Sequence, residues 1–116
     1  MEPMEPLAQM KYVAYRAGEP ALTEAESREY LKQLPDWLIV QETDVPRLVR
    51  AFAFPDFASA LAFTDRVGAM AEREGHHPAL LTEWGRATVS WWTHDIGGVH
   101  RNDFILAART DELYKA

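Results

Sequence analysis

Three imidazoles and two carboxylates crowd one part of this chain. His76, His77 and His94 fall in the stretch from Glu72 to Asp103, E-R-E-G-H-H-P-A-L-L-T-E-W-G-R-A-T-V-S-W-W-T-H-D-I-G-G-V-H-R-N-D. Histidine is the one side chain whose ordinary charge change lies near neutral pH, so an adjacent pair with a third further on suits proton transfer. The chain has no cysteine, which excludes thiol nucleophiles, disulfides and cysteine-ligated metals. A three-histidine zinc site is the sharp rival, because imidazole is a good zinc ligand. Against it, adjacent histidines rarely chelate one ion together, and H-E-x-x-H spacing is missing. Taken singly, Glu72 also reads as a solvated helix residue, Asp103 as a helix-terminal charge, and Trp37 and Trp84 as core or strand packing.

The elements that must position these groups follow from local pattern. Thr23-Glu24-Ala25-Glu26 is a capping box, so a helix starts there, and Pro35 stops it. Trp37 to Val40 is a short β-rich run, and Thr43 to Pro46 is turn material. Arg47 to Phe54 alternates as a return strand, with Leu48, Phe52 and Phe54 on one face and Val49, Ala51 and Ala53 on the other. Asp56 caps a second helix from Phe57 to Glu74. Its apolar positions Phe57, Ala60, Leu61, Thr64, Val67, Gly68 and Ala71 recur at helical spacing, widened by Phe63 and Met70. Gly75 ends that helix, so His76 and His77 emerge at its C-terminus, with Glu72 one turn before His76. Leu80–Trp84 and Ala87–Thr93 form a second hairpin around Gly85-Arg86, and His94 shares a strand face with Thr88, Ser90 and Trp92. Gly97-Gly98 allow a turn, and a last helix from about Arg101 to Tyr114 carries Asp103 in its first turn.

This order predicts an α+β fold, α-β-β-α-β-β-α, with a four-stranded antiparallel sheet and helices packed on one face. The other face is then bare. With Trp91 or Trp92 pointing that way, it becomes a candidate oligomer surface. Residues 1–21 read as an N-terminal arm, extended at Tyr12–Tyr15, that packs late or frays; residues 22–116 read as the domain.

The 116 residues suffice for one core, and 47% hydrophobic with 26% charged residues is ordinary globular composition. A net charge of -6 disfavours direct contact with nucleic acid or anionic membrane. The acidic start M-E-P-M-E-P has no signal-peptide pattern, and no apolar run is long enough to span a bilayer, so a cytoplasmic protein is expected.

The spaced set Glu72, His76-His77-Pro78, Trp84, His94 and Asp103 resembles the signature of the pterin-4a-carbinolamine dehydratases. Leu34-Pro35-Asp36-Trp37 and Phe52-Ala53-Phe54-Pro55-Asp56-Phe57 also look like that family, and the likeness runs from about Leu22 to Tyr114. It implies loss of water from 4a-hydroxytetrahydropterin to give quinonoid dihydropterin, without metal or organic cofactor, in tetrahydrobiopterin recycling. It implies a homodimer or homotetramer and a functional link to an aromatic amino-acid hydroxylase. By this resemblance the site histidines are His76, His77 and His94, with Glu72, Asp103 and Trp37 as substrate-binding or orienting residues; Thr93, next to His94, is a further candidate for that role. His76 and His94 are assigned as the acid/base pair, His77 as holding the pterin, and Trp37 as a wall for the ring. Glu72 is expected to orient or charge His76, and Asp103 to play the same part near His94 or the ring edge. The alternative is a non-enzymatic binding module, since relatives of this fold act as a dimerisation cofactor or as Rubisco assembly factors. Two departures stand out. His100 replaces the usual Ser or Thr before the last helix, a poorer cap on first principles. Tyr12 and Tyr15 stand where some bacterial relatives carry a C-x-x-C-R segment.

Overall fold

The computed structural model describes residues 5–13, 16 and 18–116. Three helices, α1 (Glu24–Leu31), α2 (Phe57–Glu74) and α3 (Arg101–Lys115), combine with strands β1 (Leu38–Glu42), β2 (Val45–Ala53), β3 (Ala79–Glu83) and β4 (Arg86–Trp91). The sheet is antiparallel throughout, in the order β1-β2-β4-β3. The α+β pattern read from the sequence is therefore the observed one. Thr43 and Asp44 both take positive φ (48° and 66°), the geometry of a tight two-residue hairpin turn.

Register decides which residues meet the helices. Leu48 opposes Trp91 and Phe52 opposes Ala87, so Leu48, Phe52, Ala87, Val89 and Trp91 share the inner face. All five are buried, against Ala60, Phe63, Val67 and Met70 of α2 and Phe104 to Ala108 of α3. The buried stripe of α2 is rotated from the one expected. Phe63 and Met70 are central, whereas Phe57 and Leu61 remain 45% and 42% exposed. Trp84, at the β3–β4 turn, is 75% exposed and does not pack in the strands as read from sequence.

The two tryptophans of β4 separate. Trp91 is fully buried on the inner face, its indole N–H reaching Thr110 Oγ1 at 3.2 Å. Trp92 has the parity of the open face. Trp37 lies in the core, 2% exposed, edge-on to Phe52 and donating its indole N–H to Asp111 Oδ1 at 2.8 Å. Arg50 pairs with the same oxygen at 2.7 Å. Burial pushes the Asp111 carboxyl up, opposed by the Trp37 hydrogen bond and the Arg50 charge.

The arm is anchored from Leu7 to Val13. Leu7 is 1% exposed in the core, its amide donating to Gln33 Oε1 at 2.9 Å. Arg109 donates to the Met10 carbonyl at 2.7 Å, and Asn102 pairs with the Val13 backbone. Ala14 and Tyr15, part of the extended segment expected there, lie outside the described residues. A fraying arm would lose little on truncation. Leu7→Ala is instead expected to cost about 2–5 kcal/mol, the range for a filled leucine site, read as a lowered urea midpoint with an unchanged slope.

Caps close the helices as the sequence suggests. Thr23 Oγ1 accepts from the Glu26 amide at 3.1 Å while Glu26 answers to the Thr23 amide at 2.9 Å. Asp56 Oδ1 accepts from the Ser59 amide at 2.7 Å. These backbone hydrogen bonds hold both carboxyls below their ordinary range. A depressed folded pKa means stability that is present above the unfolded value and lost as pH falls through the folded one. Amide exchange at Glu26 and Ser59 should therefore lose protection in acid below about pH 4, before the α2 core amides do.

Candidate active site

Gly75 redirects the chain at the end of α2. It adopts φ 65°, and the His76 amide reaches back to the Ala71 carbonyl at 3.2 Å. Helical spacing stops there. His76 turns inward, 7% exposed, and His77 turns outward. The carboxylate pairing expected from a one-turn offset is corrected accordingly. Glu72 Oε1 meets His77 Nε2 at 2.7 Å, and both side chains are well exposed. His76 Nε2 meets Asp103 Oδ1 at 2.6 Å.

Asp103 is fully buried and occupied on both oxygens. Oδ2 accepts from Thr93 Oγ1 and from the His100 amide, each at 2.8 Å. Thr93 is held by its own amide, which donates to the Gly98 carbonyl at 2.8 Å. Gly98 sits so close to the end of the arm that a Cβ there would lie 2.8 Å from Ala21 Cβ. The sequence expectation that His100 caps α3 poorly is also corrected. Its Nδ1 accepts from the Asn102 amide at 3.0 Å, an sp² lone pair doing the work of a hydroxyl. Its Nε2 faces Glu19 at 3.1 Å.

His94 does not stay on the strand. It opens a short 3-10 turn, His94–Ile96, closed by Gly97 at φ 65°. There it is exposed, its ring 4.4 Å from that of Trp92. The result is a cavity of about 250 Å3 lined by Gly75, His76, His77, Thr93, His94 and Asp95. All three expected histidines and Thr93 line it; Asp103 lies behind His76. Trp37 is not among the lining residues, and its burial leaves no ring face open. Larger hollows flank α1, but neither brings two histidines together.

Two aromatic neighbours of His76 were not expected. Its ring stacks on Trp91 (5.9 Å, interplanar angle 14°), and the Tyr12 ring lies 6.1 Å away. Burial, then the Asp103 and Glu74 charges, raise the Tyr12 phenol. Local pattern does not bring Tyr12 to His76; contacts of the arm with α3, Arg109 to the Met10 carbonyl and Asn102 to the Val13 backbone, do. Among the described residues, no group of three or more His, Asp or Glu side chains is arranged to hold a metal ion. Nor is any helix there long and apolar enough to cross a membrane.

Fold and site together define a small α+β protein with three imidazoles gathered at one end of the sheet, one of them tied to a buried carboxylate. The family model described as pterin 4 alpha carbinolamine dehydratase matches residues 20–113. The chain belongs to that family. It is 52% identical over 112 residues to a Microcystis aeruginosa protein named provisionally for this dehydratase, covering 97% of each chain. A Chlorobium limicola protein of the same provisional name is 60% identical over 99 residues, covering 85% of this chain and 87% of its own. Among solved structures, a transcriptional coactivator/pterin dehydratase from Brucella melitensis superposes with TM-score 0.73 at 31% identity, covering 80% of this chain and 97% of that one. A pterin dehydratase-like RuBisCO assembly factor of the alpha-carboxysome shares the fold at TM-score 0.58 and 24% identity, covering 70% and 92%.

Proposed function

We propose that this protein is a 4a-hydroxytetrahydrobiopterin dehydratase working by histidine general acid/base catalysis in tetrahydrobiopterin recycling. The observation that carries the reading is the cavity lined by His76, His77 and His94, with His76 Nε2 held by buried Asp103. Dehydration breaks the C4a–O bond and forms C4a=N5. The hydroxyl leaves as water with a proton from one imidazole, and the N5 proton passes to another. Protons balance, and no electron carrier is required. Asp103 fixes the His76 ring through Nε2, which leaves Nδ1 as the nitrogen for a substrate proton. His94 is the second group of the pair, and His77, braced by Glu72, holds the pterin near the leaving oxygen. A homo-oligomer and a functional link to an aromatic amino-acid hydroxylase belong to the same reading.

The test is dehydration of freshly generated 4a-hydroxytetrahydropterin, followed by ultraviolet absorbance after chelator treatment. Acceleration by wild type that survives chelation supports the reading; a folded wild type with no effect overturns it. A second reading, a binding module, is favoured by the apolar open face of the sheet, where Leu38 is 68% and Leu81 56% exposed. The two separate in His76→Ala, which would abolish turnover and leave a partner complex intact.

A further inference from the structure

We propose that Arg47 is a positioning residue for His94, acting through Trp92: the guanidinium clamps the indole, and the clamped indole sets the direction in which His94 meets the cavity. This rests on the reading of His94 as an acid/base group.

The three site histidines are held in different ways. His76 has Asp103 and His77 has Glu72. The His94 ring has no hydrogen bond among the described residues, and its close neighbour is the Trp92 ring at 4.4 Å, tilted by 50°. An exposed imidazole on a 3-10 turn would otherwise sample several rotamers. Its direction is therefore only as definite as that of the indole beside it.

Sheet register explains how the indole is held. The β2–β4 pairing ends at Leu48↔Trp91. One step further in the same register sets Arg47 opposite Trp92, both on the open face. A tryptophan on an open face should be solvated, yet Trp92 is only 8% exposed. The Arg47 guanidinium carbon sits 3.7 Å from the ring centroid, a close cation–π contact. Other anchors of Arg47 are weak. Its Nε is buried with no hydrogen-bond partner among the described residues, and Nη1 stands 3.8 Å from Glu42 Oε2, beyond hydrogen-bond range. The planar cation thus has the ring face as its main partner, a role lysine reproduces only in part because it lacks the flat, stacking guanidinium.

The test combines side-chain NMR of the His94 ring with steady-state kinetics in Arg47→Gln, Arg47→Lys, Trp92→Leu and Trp92→Phe. In wild type the His94 ring protons should show the ring-current displacement of a nearby indole. Trp92→Leu and Arg47→Gln should remove most of it and lower kcat about tenfold with KM within about twofold, the mark of a misdirected group rather than lost binding. Trp92→Phe should recover most of kcat. Should Arg47→Gln fail to fold, Arg47→Lys decides, with an intermediate displacement expected. Wild-type resonances in the folded Arg47 variants would overturn the clamp. Loss of the ring-current displacement in the Arg47 variants with kcat unchanged, in an active enzyme, would overturn the positioning role. An inactive wild type would overturn the function proposed above and with it the catalytic consequence, while the resonances would still decide the clamp.

Discussion

Replacing His76 with alanine should lower kcat/KM for dehydration by about 10²–10⁴, the range for one general acid or base. The same loss is expected for His94→Ala. The double variant should lose little more than either single one, because groups that act as a unit are not additive. His77→Ala should instead act mainly on KM, since His77 and Glu72 form an exposed pair at the cavity mouth. His76 is buried on Trp91, so alanine there also opens a void. Thermal melting of each variant therefore accompanies the kinetics. His76→Gln keeps most of the volume and should lose activity nearly as fully. Wild-type turnover in folded His76→Ala would remove His76 from the chemistry.

Asp103→Ala should destabilise the protein strongly. The side chain is fully buried and partners His76, Thr93 and the His100 amide. Alanine leaves the Thr93 hydroxyl, the α3 N-terminal amide and a buried imidazole without an acceptor at once. Losing one partner of such a buried network costs about 3–5 kcal/mol. For a domain of this size that is a fall of roughly 10–20 °C in melting temperature, measured at one fixed protein concentration. Asp103→Asn separates structure from chemistry. An amide keeps one acceptor for Thr93 and the His100 amide, so the stability loss should be only about 1–2 kcal/mol. Its NH2 group facing His76 Nε2 would favour the wrong tautomer, so turnover should fall far more than stability does. Equal melting of wild type and Asp103→Ala would contradict the network.

The α-β-β-α-β-β-α order was legible because each element announces itself locally. The Thr23–Glu26 capping box, the Asp56 cap and Gly75 bound helices by satisfying or ending backbone hydrogen bonds within a few residues. Alternation in Arg47–Phe54 named the inner face of β2 correctly. The histidines could be picked out as candidates because imidazole chemistry belongs to the residue type itself, and because their spacing with Glu72 and Asp103 resembles one family.

Partnership was not legible. A one-turn offset assigned Glu72 to His76, but that rule holds only while the helix continues, and Gly75 leaves helical φ one residue too soon. Asp103 reaches His76 because α3 packs beside α2 on the inner face of the sheet, a contact between segments far apart in sequence. Trp37 read as a ring wall and lies in the core, hydrogen-bonded to Asp111, since whether an aromatic faces a ligand or a neighbour depends on what packs over it. Tyr12, Arg47 and Trp92 could not be assigned to the histidines they neighbour for the same reason. Residue type and short-range spacing thus determined the elements and the candidate groups of this protein. Tertiary structure alone decided which carboxylate holds which imidazole and what shields it, because those are properties of packing between distant segments.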